Sequence, residues 1–431
     1  MTNHLPFHRR VFNCVIWHAS ICVVSLYAVC CTEEKPQGEY PVIDVANDVV
    51  SNNYQRAYCS DFFSSIELIP LETKQECLIN SSIVAVNDSF IFIVGERQLY
   101  VFDRSGNFLN QIGEIGRGPG EYTSAADFFF NNDGATVFVE NYTQILEYKF
   151  DGKFIRSIRK PEPDDPLTNC LYVGDNIFVG SVRYDGNNEY KYCLFDGNGD
   201  IIEFFPNYIF FNRIRQFASR DDLALQPVRI YNQIYLKDYV NDTIYVLADS
   251  KLEPAYVFDL GKYSYPKELL EGVGLGVPGM NIPYNIFWFT PRFVGSTKYF
   301  FYELWVPKVL PRPKGKLKYC KIRHQYFPDD ILIFGIFDRE QNVNLLLDTD
   351  QHHQRGIIND IDGGLPIFPR YYAGDGVVVD IWEAEEMKEM LTEEYFSKQT
   401  IKDRQAHQKL KEVLKNLDEE DNPVVVIAKL K

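Results

Sequence analysis

One arrangement of apolar and polar positions recurs along this chain: a short apolar or aromatic run, a turn containing Asp, and a second apolar run. It appears in LYVFDRSGNFLNQIG (99–113), LEYKFDGKFIRSIRK (146–160), YCLFDGNGDIIEFFP (192–206), IYVLADSKLEPAYVF (244–258) and FGIFDREQNVNLLLD (334–348). Short apolar runs bounded by turn formers predict β-strands joined as hairpins. The turn aspartates Asp103, Asp151, Asp196, Asp249 and Asp338 are 48, 45, 53 and 89 residues apart. The first three intervals match one four-stranded blade of a β-propeller, and the last holds an extra segment, PKVLPRPKGKLK (307–318), read as an extended hairpin within a fifth blade.

Five turns leave material for a sixth blade. GGLPIFPRYYAGDGVVVDIW (363–382) offers two strands and NPVVVIAKLK (422–431) a third, while SSIELIPLET (64–73) supplies the fourth from the other end of the sequence. Such closure stitches the ring together and removes an open edge. Between these pieces the pattern changes period. Met387, Met390 and Leu391, then Leu410, Val413, Leu414 and Leu417, recur at helical spacing and predict two amphipathic helices within an insert spanning 383–421. The expected fold is all-β, a six-bladed propeller over 64–431 with a small helical insertion.

GEIGRGPGEY (113–122) superficially resembles a phosphate loop, yet no helix start and no Gly-Lys-Ser/Thr ending follow it. Its glycines and Pro119 read instead as a corner, where backbone angles unusual for other residues turn the chain.

The first residues differ from everything after them. Arg9 and Arg10 precede the uncharged VFNCVIWHASICVVSLYAV, and Cys30–Cys31 is followed by the polar TEEKPQGEYP. This reads as a lipoprotein signal peptide over 1–31, with Cys31 as the lipidated residue and Cys30 as the alternative, and with 32–63 as a tether and N-terminal segment. An uncleaved anchor helix is the competing reading of the same stretch. Removing the leader takes a formal net charge of −16 two units further negative, and such an acidic body repels nucleic-acid phosphates. Cys59, Cys77, Cys170, Cys193 and Cys320 are odd in number and lack a Cys-x-x-Cys pair, which leaves buried free thiols or at most one disulfide rather than a zinc site.

The stretch VFDRSGNFLNQIGEIGRGPGEY (101–122) resembles the NHL-type propeller repeat, in which strand, Asp-x-x-Gly turn and strand lead into a Gly-Pro-Gly crossover. Together with IELIPLET, NDIDGGLPIFP and NPVVVIAKLK, the pattern over 41–431 resembles the six-bladed β-propeller lipoproteins abundant in Bacteroidota. Only the first repeat carries the full Gly-Pro-Gly crossover. The resemblance implies a propeller held at the cell envelope and a crossover joining a blade's outer strand to the next inner strand; it implies no settled activity.

The chemistry-bearing residues are sparse. After the leader only His324, His352, His353 and His407 remain, too few and too clustered for the usual catalytic zinc arrangement. No Gly-x-Ser-x-Gly nucleophile is present. No cofactor is expected; calcium, which needs only oxygen ligands, is left open at Asn359, Asp360 and Asp362 within NDIDGG, where an Asx-type turn is the plainer reading. For ligand binding the candidates are Trp288 and Arg292 in YNIFWFTPRF (284–293), and Arg117, Glu121, Tyr122 and Asp127 flanking the crossover. The expectation is a non-enzymatic envelope propeller that binds a glycan, peptide or partner protein at its channel face. A calcium-assisted hydrolase or lyase, or a structural assembly protein, is the alternative.

Overall fold

A computed structural model describes residues 40–431 except 81–82, 126, 132–135, 163–166, 183–187, 209, 211–226, 231–232, 238–240, 265–285, 308, 315–317, 321–324, 328–331, 353 and 375. Six small sheets form a ring, the six-bladed β-propeller that the repeating hairpins predict. Each blade begins with an innermost strand: Val84–Val86, Phe128–Phe130, Thr168–Gly174, Val228–Ile230, Trp288–Gly295 and Tyr371–Gly374. Three antiparallel strands then step outward.

The recurring aspartates do local work. Asp103 Oδ1 accepts the N–H groups of Ser105 at 2.8 Å and Asn107 at 2.9 Å, and Asp196 Oδ1 accepts those of Asn198 and Asp200, both at 2.9 Å. A short carboxylate folded back onto its own turn satisfies N–H groups that a hairpin would otherwise expose. Alternation in the flanking strands then sends side chains to both faces, and each face is covered by the neighbouring blade. Phe92, Leu99 and Val101 of the first blade pack against Val137, Val139, Leu146 and Tyr148 of the second. Burying a side chain such as Phe92, 0 % exposed, contributes about 1.5–3 kcal/mol.

The sixth blade closes the ring. Its strand order is Tyr371–Gly374, Val377–Trp382, Val424–Leu430 and Phe63–Pro70, with Leu68 opposite Val426. The opposite face joins the first blade through Val379, Ile381, Val425 and Ile427 against Val84, Ile91 and Ile93. Asn422 clasps the seam: Oδ1 accepts from Ile79 N at 2.8 Å, and Nδ2 donates to the carbonyls of Glu72 at 2.8 Å and Cys77 at 2.9 Å.

Within the stretch assigned above to a tether and N-terminal segment, Val42–Asp44 runs parallel to the outer strand Lys251–Asp259 of the fourth blade. Tyr54–Gln55 does the same along Val343–Leu347 of the fifth. A helix, Val45–Val50, bridges them with Val45 and Val49 buried. The hairpin expected at 307–318 is not where the pairing falls: the two antiparallel strands of this extra segment are Lys318–Cys320 and Gln325–Phe327, which begin where PKVLPRPKGKLK ends.

The helical insert departs from expectation in one respect. It forms three helices, Ala384–Met390, Glu393–Ser397 and Arg404–Asn416, because Leu391 leaves helical geometry and Thr392 caps a new start by accepting from Tyr395 N. Met387, Leu391, Tyr395, Phe396, Leu410 and Leu417 bury their apolar face with Trp382, Val424 and Phe368.

Candidate functional site at the centre of the ring

The six innermost strands enclose a cavity of about 420 Å³. Every blade contributes: Val86 and Asn87, Phe128–Phe130, Asn169–Leu171, Val228 and Arg229, Phe293 and Val294, and Tyr371–Gly374. An apolar wall with a few polar groups at fixed positions suits a small ligand or the end of a larger one. Tyr371 stands in this lining with Asn87, Asn131, Asn169 and Asp127 at the strand ends; Phe129 and Phe293 line it too, with their rings packed into the clusters between blades.

Two of the four charged residues in this wall, Glu140 and Arg370, are neutralised by a partner just behind it. Glu140 pairs with Lys160 at 2.8 Å, the lysine also donates to the Leu167 carbonyl at 2.5 Å, and Glu140 Oε2 accepts from Cys170 N at 2.7 Å. Arg370 Nε donates to Asp380 Oδ1 at 2.7 Å, and Asp380 Oδ2 accepts from Phe368 N at 2.8 Å. Arg229 is different: Nη2 donates to the carbonyls of Tyr172 and Val173, the latter at 3.0 Å, and no carboxylate among the described residues pairs with it. Desolvation lowers its pKa, opposed by the neighbouring Tyr172 phenol. The Tyr371 hydroxyl makes no hydrogen bond among the described residues, and burial pushes its pKa up, so it stays a neutral phenol.

Of the sequence candidates, Asp127 lines the cavity and its carbonyl accepts from Glu140 N at 2.8 Å. Arg117, Glu121 and Tyr122 sit instead in the crossover between the outer strand Phe108–Ile112 and the inner strand Phe128–Phe130. There Tyr122 is 0 % exposed, its hydroxyl donating to the Ile112 carbonyl and accepting from Gln98 Nε2. Glu121 accepts from Gly118 N at 2.6 Å, and Arg117 is exposed. Gly120, at φ +75° with the Phe154 ring 2.8 Å from where a Cβ would lie, turns the chain, so the glycines form a corner. Trp288 starts the fifth inner strand, half-buried, opposite Trp305; the Arg292 side chain and Tyr284 lie outside the described residues, as do Cys30, Cys31, His324 and His353.

The candidate calcium loop is tied to protein donors. Asp360 accepts from Ser60 N at 2.8 Å and Ser60 Oγ at 2.7 Å and pairs with Lys402 at 2.7 Å. Burial alone would raise its pKa, but these donors hold it below the usual value. Asp362 accepts from Asn359 Nδ2 at 2.6 Å and Gly364 N at 2.8 Å; it is buried, and desolvation raises its pKa to about 6. His407 Nδ1 meets the Asp362 carbonyl at 2.7 Å, fastening the long insert helix to this loop. Among the described residues no group of three or more His, Cys, Asp or Glu side chains is placed to hold a metal.

Residues 40–429 match a family described as a domain of unknown function, DUF4934. The chain belongs to the DUF4934 family. No curated protein matches it. Among solved structures, this DUF4934 member is similar to a candidate exported protein of Bacteroides fragilis, with 18% identity, 91% of this chain and 99% of that one covered, and a TM-score of 0.64. It also matches a member of the DUF4221 family from Bacteroides vulgatus at 11% identity, covering 86% of this chain and 97% of that one with a TM-score of 0.45. The first likeness shows the same fold. The cavity residues of the DUF4934 chain other than Asp127 escaped sequence reading because they lie two strands upstream of each turn aspartate, on runs such as FFF (128–130) that look like ordinary core.

Proposed function

We propose that this protein is a non-enzymatic binding propeller of the cell envelope, lipid-anchored through Cys31 or the adjacent Cys30, and that its central cavity takes the terminal unit of a glycan. The observation that carries the reading is the cavity wall: aromatic residues, Tyr371 foremost, beside Asn and Asp residues at the strand ends. Ring carbons match the C–H faces of a sugar, and side-chain amides and carboxylates match its hydroxyls. The leader and the exported relative in Bacteroides fragilis support an envelope setting. No cluster among the described residues favours calcium-assisted hydrolysis or elimination.

The test is calorimetric titration of the purified domain with a panel of oligosaccharides. Saturable binding that Tyr371→Ala weakens at least tenfold is the expected result. Binding indifferent to Tyr371→Ala, with the fold intact by circular dichroism, places the site elsewhere and overturns the reading.

A further inference from the structure

The cavity wall is uneven in charge, and that unevenness speaks to the ligand. Glu140 is neutralised by Lys160, and Arg370 by Asp380, while Asp127 lines the cavity on the second blade and Arg229 on the fourth, so the acidic and basic groups sit on different walls. Arg229 lines the same cavity with two backbone carbonyls as its hydrogen-bond partners, leaving Nε and Nη1 without one among the described residues. A cation held in a low-dielectric wall is costly unless a counter-charge reaches it. Bulk water serves poorly in a confined cavity, and a ligand carboxylate serves well, since a guanidinium presents paired N–H donors matching two carboxylate oxygens.

Resting on the glycan reading above, we propose that the sugar bound in the cavity is acidic, a uronic acid whose carboxylate is received by Arg229 while its ring lies against Tyr371. The carbonyl contacts to Tyr172 and Val173 fix Nη2 and hold the guanidinium plane, so the rest of the fork is oriented before the ligand arrives.

Titration with a matched pair, digalacturonate and the neutral digalactose, distinguishes this proposal from the one it rests on. The wild-type protein is expected to bind digalacturonate at least tenfold tighter, with Arg229→Gln abolishing the preference and Arg229→Lys restoring part of it, at unchanged melting temperature for the lysine variant. Raising salt should weaken the acidic ligand only. Equal or tighter binding of digalactose by the wild type overturns the acidic assignment and leaves glycan binding standing. A wild type that binds neither sugar of this pair nor any other neutral or acidic member of the panel overturns both.

Discussion

Glu140 and Lys160 form an ion pair at 2.8 Å inside the wall of the central cavity, with side chains 6 % and 1 % exposed. Because Lys160 also donates to the Leu167 carbonyl and Glu140 also accepts from Cys170 N, the pair ties the second blade to the third. Removing one partner strands the other charge. Glu140→Gln or Lys160→Met is expected to cost about 3–5 kcal/mol in urea denaturation, and the double variant less than the sum of the two. Additive losses would show that the charges do not depend on each other.

Asn422 spends its side-chain amide on three backbone groups across the ring seam. Asn422→Ala leaves the Ile79 N–H and two carbonyls without partners in a buried place, at an expected cost of about 1–3 kcal/mol for each group left unpaired. Thermal melting reads this directly, and Asn422→Asp, which turns a carboxylate oxygen toward the Glu72 and Cys77 carbonyls in a buried place, is expected to fall at or below alanine at neutral pH.

Asp362 ties stability to pH in an unusual sense. Its folded pKa of about 6 lies above the ordinary 3.8, so the folded state binds the proton more tightly than the unfolded chain does. The contribution is therefore full below pH 3.8 and is lost as pH rises through about 6, on the order of 3 kcal/mol for a shift of this size. Asp360 works oppositely, its lowered pKa stabilising above the ordinary value and losing effect as pH falls. Asp362→Asn is expected to flatten the limb between pH 4 and 6 and to raise stability at pH 7, measured by denaturant midpoint. An unchanged limb would mean that Asp362 is ionised throughout.

Cys59, Cys77, Cys170 and Cys193 are buried and free, and burial pushes the Cys193 thiol up to about 12. All four are expected to resist alkylation by iodoacetamide at pH 8 in the native protein and to react fully in guanidinium, as peptide mass spectrometry would show.

The crossover tolerates little at Gly113, which has φ +57° and the Tyr148 ring 2.8 Å from the site of a Cβ. Gly113→Ala is expected to cost about 1–3 kcal/mol, with Gly118→Ala, at ordinary φ, milder. Equal effects would remove the backbone argument.

The ring was legible because its signals are local. Asp103 and Asp196 each cap their own hairpin, and a carboxylate bonded to the next few N–H groups leaves the same mark wherever it occurs. Closure by Phe63–Pro70 against Val424–Leu430 was legible because both are uninterrupted strand-like runs left over after the repeats. The parallel additions Val42–Asp44 and Tyr54–Gln55 were not, since two or three residues pairing with partners over 200 positions away carry no pattern of their own. The site was the least legible part: Asp127 stood out by flanking the crossover, whereas Arg229 and Tyr371 acquire meaning only when six strands converge on one axis.

Because Val424–Leu430 sits between Val377–Trp382 and Phe63–Pro70, a nascent chain synthesised only to residue 420 presents two bare edges facing one gap. Blades one to five can be complete in sequence while the circle is still a horseshoe. The cavity takes its shape only once Val424–Leu430 slots into that gap, because its six walls need the closed circle.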